Sequence, residues 1–169
     1  IAKEKFMEKI DWLDMLKFKA SYGVQGNDNI LDTNGNDQYY PYITQYKPSW
    51  STTAGYSLTM TWKGNEDLTW ESSKAFNIGF DFAVLKNRLT GTIEYFSRKT
   101  SDMLYFKDVP LSSGNVTGFV TTNIGSMTNK GIELNLDGIV YKNNDIEIGL
   151  NMNLTHVKNE ITELDPSVA

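Results

Sequence analysis

Ile132-Glu133-Leu134-Asn135-Leu136-Asp137-Gly138-Ile139-Val140, and a few residues later Ile146-Glu147-Ile148-Gly149-Leu150-Asn151-Met152-Asn153-Leu154, decide how this chain folds. In the first stretch Ile132, Leu134, Leu136 and Val140 fall on one face, and Glu133, Asn135 and Asp137 on the other. In the second, Ile146, Ile148, Leu150, Met152 and Leu154 share a face opposite Glu147, Asn151, Asn153 and Thr155. A period of two predicts strands, because successive side chains of a strand leave opposite faces. The polar Lys142-Asn143-Asn144-Asp145 between them predicts a hairpin turn. Each strand reads as about 9–11 residues, against roughly 5–6 in soluble sheets, which is the length a tilted strand needs to cross a bilayer. One aliphatic and one polar face predict a sheet between two solvents, lipid on one side and a wet lumen on the other.

The same pattern recurs upstream. Leu16, Phe18, Ala20, Tyr22 and Val24 alternate with Lys17, Lys19 and Ser21. From about Glu71 to Val84, Phe76, Ile78, Phe80 and Phe82 alternate with Ala75, Asn77, Gly79 and Asp81. Leu85-Lys86-Asn87-Arg88 turns the chain into Leu89, Gly91, Ile93 and Tyr95, which alternate with Thr90, Thr92 and Glu94. Phe6, Ile10, Trp12 and Leu13 suggest a short helical turn near the start. Between these elements lie two long segments read as loops. Gln25 to about Leu68 is rich in turn formers such as Asn27, Asp28, Asn29, Asp32, Asn34, Gly35, Asn36 and Asp37, with a short strand possible at Ser57 to Trp62. The second, about Arg98 to Thr128, carries Pro110, Ser112, Ser113, Gly114 and Gly118. Short turns at Lys86-Asn87 and Asn143-Asn144 and long loops around Asn34-Gly35 and Ser113-Gly114 give the asymmetry of an outer-membrane barrel, with short periplasmic turns and long extracellular loops. About five long strands cannot close a barrel, whose smallest form has about eight, and open edges are not tolerated in lipid. The first residue is Ile1 and the sequence ends in loop-like Asp165-Pro166-Ser167, so a piece of a longer protein is expected.

The 169 residues carry a net charge of −5, which argues against a nucleic-acid partner. The absence of cysteine excludes a disulfide scaffold, a thiolate metal site and a cysteine nucleophile. No apolar run approaches the roughly 18–20 residues of a membrane helix, which leaves a membrane barrel open because its strands alternate.

Several blocks, taken in order, resemble one family. Leu16-Lys17-Phe18-Lys19-Ala20-Ser21-Tyr22-Gly23 with Gly26-Asn27 is similar to its "LKLRASYGxxGN". Asn65-Glu66-Asp67-Leu68-Thr69-Trp70-Glu71 is similar to "NPDLKWE", with Glu66 where proline is usual. Asn77-Ile78-Gly79-Phe80-Asp81-Phe82, Asn87-Arg88-Leu89-Thr90-Gly91 and Tyr95-Phe96 resemble "NIGLDFGFLNNRLSGSIDYY". Asp102-Met103-Leu104, Pro110, Thr122-Asn123-Ile124-Gly125 and Asn129-Lys130-Gly131-Ile132-Glu133-Leu134 complete the set. The chain is identified as a member of the SusC/RagA type of TonB-linked outer-membrane transporter of Bacteroidota, with similar blocks from about Trp12 to Leu164.

The resemblance implies an all-β fold, an antiparallel transmembrane β-barrel segment within a larger plugged barrel of roughly 22 strands. Residues 1–169 would be a partial TonB-dependent receptor barrel domain without the plug, the TonB-contacting segment or the terminal strand. It implies residence in the outer membrane of a Gram-negative bacterium. It implies a SusD-like surface lipoprotein as partner, energy from the TonB complex through the missing plug region, and an oligosaccharide or peptide ligand.

Candidate ligand- or partner-contacting residues are Tyr39, Tyr40, Tyr42, Tyr46 and Trp50, since flat aromatic faces suit apolar sugar faces while Tyr and Trp keep a polar handle. Loop packing or contact with the lipoprotein would use the same rings. Tyr22, Trp62, Trp70, Tyr95 and Tyr141 sit near strand ends, where some would form an interfacial girdle. Asp32-x-Asn34-x-Asn36-Asp37 resembles the start of a calcium loop, but Asp37 and Ile43 stand where Gly and Glu belong, and an ordinary turn suits it better. Glu94, Glu133, Asp137 and Glu147 read as lumen lining rather than a glycosidase pair. His156, the single histidine, reads as interfacial. No phosphate loop, serine elbow or metal-binding pair is present, so neither catalytic residues nor a metal or cofactor is expected. The rival reading is a soluble carbohydrate-binding β-sandwich with two sheets packed face to face.

Overall fold

The computed structural model describes residues 10–31, 35–113, 115 and 117–164. Phe6, the Asp32 and Asn34 positions of the calcium-like run, Gly114 and Asp165-Pro166-Ser167 lie outside the described residues. In chain order the strands are β1 (Leu13–Asn27), β2 (Gln45–Ser51), β3 (Gly55–Trp62), β4 (Glu71–Val84), β5 (Leu89–Ser101), β6 (Leu104–Asp108), β7 (Phe119–Asn123), β8 (Ser126–Lys142) and β9 (Glu147–Glu163). Five of them form one sheet in the order β1-β4-β5-β8-β9, while β2-β3 and β6-β7 form two-stranded sheets. The chain divides into two compact units, one of Ile1–Val24, Lys74–Lys99 and Thr128–Glu160, the other of Gln25–Ser73, Thr100–Met127 and Ile161–Ala169.

In the first unit the strands are antiparallel. Gly138 faces the Leu150 carbonyl and Gly131 that of His156, so β9 recedes as β8 advances. Gly91 lies against the Asn135 carbonyl and Gly138 near that of Arg88, which fixes β5 on β8 in the same sense. The two faces are those read from the alternation. On the polar face Lys19 Nζ lies 2.7 Å from Asp81 and 3.8 Å from Glu94, tying together β1, β4 and β5. Thr92 Oγ1 donates to Asp81 at 2.9 Å, Asn77 Nδ2 donates to Ser21 Oγ at 3.1 Å, and Asn151 Nδ2 donates to Asp137. On the opposite face Phe18 and Phe80 pack at 5.3 Å between ring centroids, and Gly91 lets Phe82 and Leu136 approach the backbone. That apolar face stays open: Ile132 is 52% exposed, Ile148 53% and Leu150 66%. A β-sandwich would cover such a face with a second sheet; a row of this size left in water is an aggregation surface.

The turns close this sheet with local chemistry. Asn143 Oδ1 accepts from Asp145 N at 2.9 Å and Ile146 N at 2.7 Å, an Asx turn between β8 and β9, flanked by the Lys142–Glu147 ion pair. Leu85, Lys86 and Asn87 all hold positive φ, 57°, 58° and 59°, a conformation unfavourable for side chains other than Gly. It is held by Leu85 N–H donating to the Trp12 carbonyl at 3.0 Å and Asn87 N–H to the Asp14 carboxylate at 2.9 Å.

Gly131 carries a steric role. A Cβ there would run into the His156 carbonyl of β9 and come within 2.8 Å of Phe96 Cζ, so the backbone of β9 and the ring of β5 together occupy the space a side chain on β8 would fill. An aromatic over a strand glycine shields its backbone and pins register.

In the second unit the two segments read as loops are partly strands. β2 pairs with β3 through Tyr46↔Met60, Pro48↔Leu58 and Trp50↔Tyr56 on one face, and Lys47↔Thr59 and Ser49↔Ser57 on the other. The strand expected at Ser57 to Trp62 is present as part of β3. β6 pairs with β7 from Leu104↔Asn123 to Asp108↔Phe119. Both hairpins escaped the sequence reading because they are short, and β2 carries a proline that demotes a run as strand. The core here is aromatic. Trp62, 3% exposed, meets Phe119 at 5.8 Å and Phe106 at 6.5 Å, edge to face, and its Nε1 donates to the Pro41 carbonyl at 3.0 Å. Trp62 is therefore a core residue and not part of an interfacial girdle.

Leu134→Arg, on the open apolar face, is expected to lower stability by about 2–4 kcal/mol in a bilayer, and Asn135→Arg, one residue along, by much less. Unfolding in lipid vesicles measures both, and equal losses would defeat the two-solvent sheet. Gly131→Ala is expected to destabilise by about 1–3 kcal/mol through overpacking, with only part of the loss recovered in the double variant Gly131→Ala/Phe96→Leu, because the His156 carbonyl still meets the added methyl.

Candidate functional site

A cavity of about 650 Å³ lies within the second unit. Three segments wall it. The first brings Asp28 and the buried Ile30, the second Asp37, Tyr39 and Tyr42, the third Glu66 and Trp70. Its volume is in the range of small-ligand sites.

Each wall has a local reason for its shape. Asn27 Oδ1 accepts from Asn29 N at 3.1 Å, an Asx turn that starts the first wall. Gln38 N donates to the Ile30 carbonyl at 2.8 Å, and Leu31 bridges Asp37, so the second wall is laced to the first. Asn65 Oδ1 accepts from Asp67 N at 3.1 Å, and its Nδ2 donates to the Thr121 carbonyl at 3.0 Å. Asn123 clamps the third wall: its Oδ1 accepts from Thr69 N and its Nδ2 donates to the Thr69 carbonyl, both at 2.8 Å. The Trp70 ring rests against Gly26, where a Cβ would lie 3.1 Å from Cε3, and the ring is 69% exposed.

The structure separates the five aromatic candidates. Tyr39 and Tyr42 line the cavity, whereas Tyr40, Tyr46 and Trp50 do not. Tyr46 and Trp50 share one face of the β2–β3 hairpin with Pro48, Tyr56, Leu58 and Met60, and Tyr56 and Leu58 are strongly exposed there. The sequence reading missed Asp28, Asp37, Glu66 and Trp70 as wall residues. A signal existed for the last two, since both fall in the Asn65–Glu71 block that carries the family resemblance. Among the described residues no group of three or more His, Asp or Glu side chains is placed to hold a metal. None of the described helical residues is long and apolar enough a run to cross a membrane, which says nothing of strands.

A family model described as TonB dependent receptor-like, beta-barrel matches residues 9–168. The chain belongs to this family. It is 32% identical to the TonB-dependent receptor SusC of Bacteroides thetaiotaomicron across 97% of its length, and 29% identical to the TonB-dependent receptor P39 of Formosa agariphila, also across 97%. It spans 16% and 15% of those curated relatives. Among solved structures it is similar to the RagAB peptide transporter, with a TM-score of 0.77 and 31% identity over 96% of this chain and 17% of that one. An open state of the RagAB peptide importer gives the same TM-score of 0.77 at 32% identity. The SusC/RagA resemblance read from the ordered blocks is thus correct, and the five-stranded sheet is part of an antiparallel TonB-dependent receptor barrel.

Trp62→Ala is expected to cost about 3–5 kcal/mol locally, because it empties the aromatic core and frees the Pro41 carbonyl beside the cavity. Hydrogen exchange should then rise in β3, β6 and β7 while β5 and β8 stay protected.

Proposed function

We propose that this chain is a barrel-wall and loop segment of an outer-membrane TonB-dependent nutrient transporter of a Bacteroidota species. It works with a SusD-like surface lipoprotein to import oligosaccharide or peptide ligands. Residues 1–169 form part of the barrel domain, with the plug and the TonB-contacting segment supplied outside them. The reading is carried by the two-faced sheet, whose open apolar side suits outer-membrane lipid and whose Lys19–Asp81–Glu94 side suits a wet lumen. The relationship to SusC and to the RagAB structures supports it.

In this mechanism ligand gathers on the extracellular side, the lipoprotein closes over it, and TonB-driven plug movement opens the lumen. The chain performs no bond chemistry. Tyr39 and Tyr42 offer ring faces inside a concave site, which suits ligand contact. Tyr46 and Trp50 lie on an exposed hairpin face of Trp, Tyr, Met, Leu and Pro, rich in the aromatic residues favoured at protein interfaces, which suits the lipoprotein. Tyr40 joins neither group.

The two sets give separable outcomes in the intact transporter. Tyr42→Ala is expected to weaken ligand binding roughly 5–30-fold, from about 1–2 kcal/mol of lost ring contact, with lipoprotein capture unchanged. Trp50→Ala is expected to weaken lipoprotein capture with barrel insertion intact. Calorimetry with the cognate ligand and pull-down of the lipoprotein read the two. If both variants insert and bind like the parent, these aromatics are only scaffold. If the parent protein is soluble and stable without detergent, the transporter reading fails and a carbohydrate-binding module replaces it.

A further inference from the structure

We propose that the cavity walled by Tyr39, Tyr42 and Trp70 selects ligands that present an ammonium group, from a peptide amine or from an amino sugar. The proposal rests on the transporter reading and narrows its ligand class.

The site itself is carried by concavity and rings: a volume of about 650 Å³ with three aromatic side chains on its wall. The wall also decides the charge. Asp28, Asp37 and Glu66 stand in it, one from each segment, and no Lys or Arg is among the described residues that line the cavity. The sequence reinforces this, since between Lys19 and Lys47 there is no basic residue, while Asp28, Asp32 and Asp37 fall in that interval. An anionic ligand would meet uncompensated repulsion there. A neutral sugar would find ring faces but leave the carboxylate field unused. An ammonium group satisfies both wall types, accepted by carboxylates through charge-assisted hydrogen bonds and attracted to the faces of Tyr and Trp.

Of the wall carboxylates, none is joined to a cation by an ion pair among the described residues; the described ion pairs involve Asp81, Glu94, Glu147 and Glu160. The backbone of the walls is fixed independently of those carboxylates, by Asn27, Asn65 and Asn123. Neutralising the carboxylates therefore leaves the cavity standing.

The test uses the intact transporter, purified in detergent with its lipoprotein, and four probes in calorimetry. These are a lysine-containing tripeptide and its fully N-acetylated form, and a glucosamine trimer and its N-acetylated form. At least one free amine is expected to bind about tenfold tighter than its acetylated counterpart, and which one shows the preference identifies the source. The triple variant Asp28→Asn/Asp37→Asn/Glu66→Gln is expected to abolish that preference by weakening the free amine more than its acetylated form. Equal binding of free and acetylated probes, both weakened by Trp70→Ala, would overturn the charge selectivity and leave ligand gathering by the rings in place. A preference for free amines that survives the triple variant would also overturn it, because the selecting charge would lie elsewhere. If no probe binds, the ammonium selectivity is overturned; if Tyr42→Ala and Trp70→Ala then also leave growth-supporting uptake unchanged, the ligand-gathering role falls with it.

Discussion

Backbone amides cannot be left unpaired in hydrocarbon, and that requirement organises the first unit. A strand in lipid satisfies its N–H and C=O groups only through its neighbours, so strand order, register and length are set by hydrogen bonding before any side chain contributes. The five strands run 13–17 residues, all beyond the roughly 9–11 that a tilted crossing needs. Side chains then have one task per face. Apolar residues at alternate positions gain from contact with lipid, and the intervening positions are free to carry charge. The Lys19 ammonium between Asp81 and Glu94 shows the consequence: a cation on β1 reaches acids on β4 and β5, so the polar face adds cross-strand links without any apolar core.

Close packing appears where a conventional core is missing. Nothing on the lipid side can act as a second layer, so the fit between strands must come from within the sheet. Gly131 beneath Phe96, and Gly91 between Phe82 and Leu136, are positions where a ring or branched side chain of one strand fills space that a neighbour leaves vacant. The second unit uses the opposite strategy. It buries Trp62 with Phe106 and Phe119 in an edge-to-face cluster, and short strands and side-chain clamps at Asn65 and Asn123 surround it.

These two strategies explain what was legible in the sequence. The period-two run from Ile146 to Leu154 encodes both faces within one segment, so strand, hairpin and solvent assignment could be read locally. The Asx turn at Asn143 was equally local. Trp62 was misplaced because its ring partners Phe106 and Phe119 lie more than forty positions downstream, and a sequence window around Trp62 shows an aromatic near a strand end whichever way it points. The cavity posed the same difficulty. Asp28, Asp37 and Glu66 look like ordinary polar loop residues until Gln38 bonds back to Ile30 and Asn123 holds Thr69, contacts that no periodicity announces. Tyr39 and Tyr42 were recognisable as candidates from composition alone, yet composition grouped them with Tyr46 and Trp50, which the hairpin register sends to a different surface.

That division follows from surroundings as much as from residue type. An aromatic ring on an open hairpin face can be covered only by a partner large enough to bury it, and the paired rungs Pro48↔Leu58 and Trp50↔Tyr56 offer apolar area but few hydrogen bonds. A ring in a concave wall beside carboxylates and an Asx turn can hold a small molecule on several sides at once, with polar groups to fix its orientation. The two surfaces therefore suit occupants of different size, even though the same few residue types build both. Because the hairpin is held by its ladder and the cavity by Asn27, Asn65 and Asn123, a change of side chain on either surface alters recognition there while the backbone that presents it keeps its hydrogen bonds.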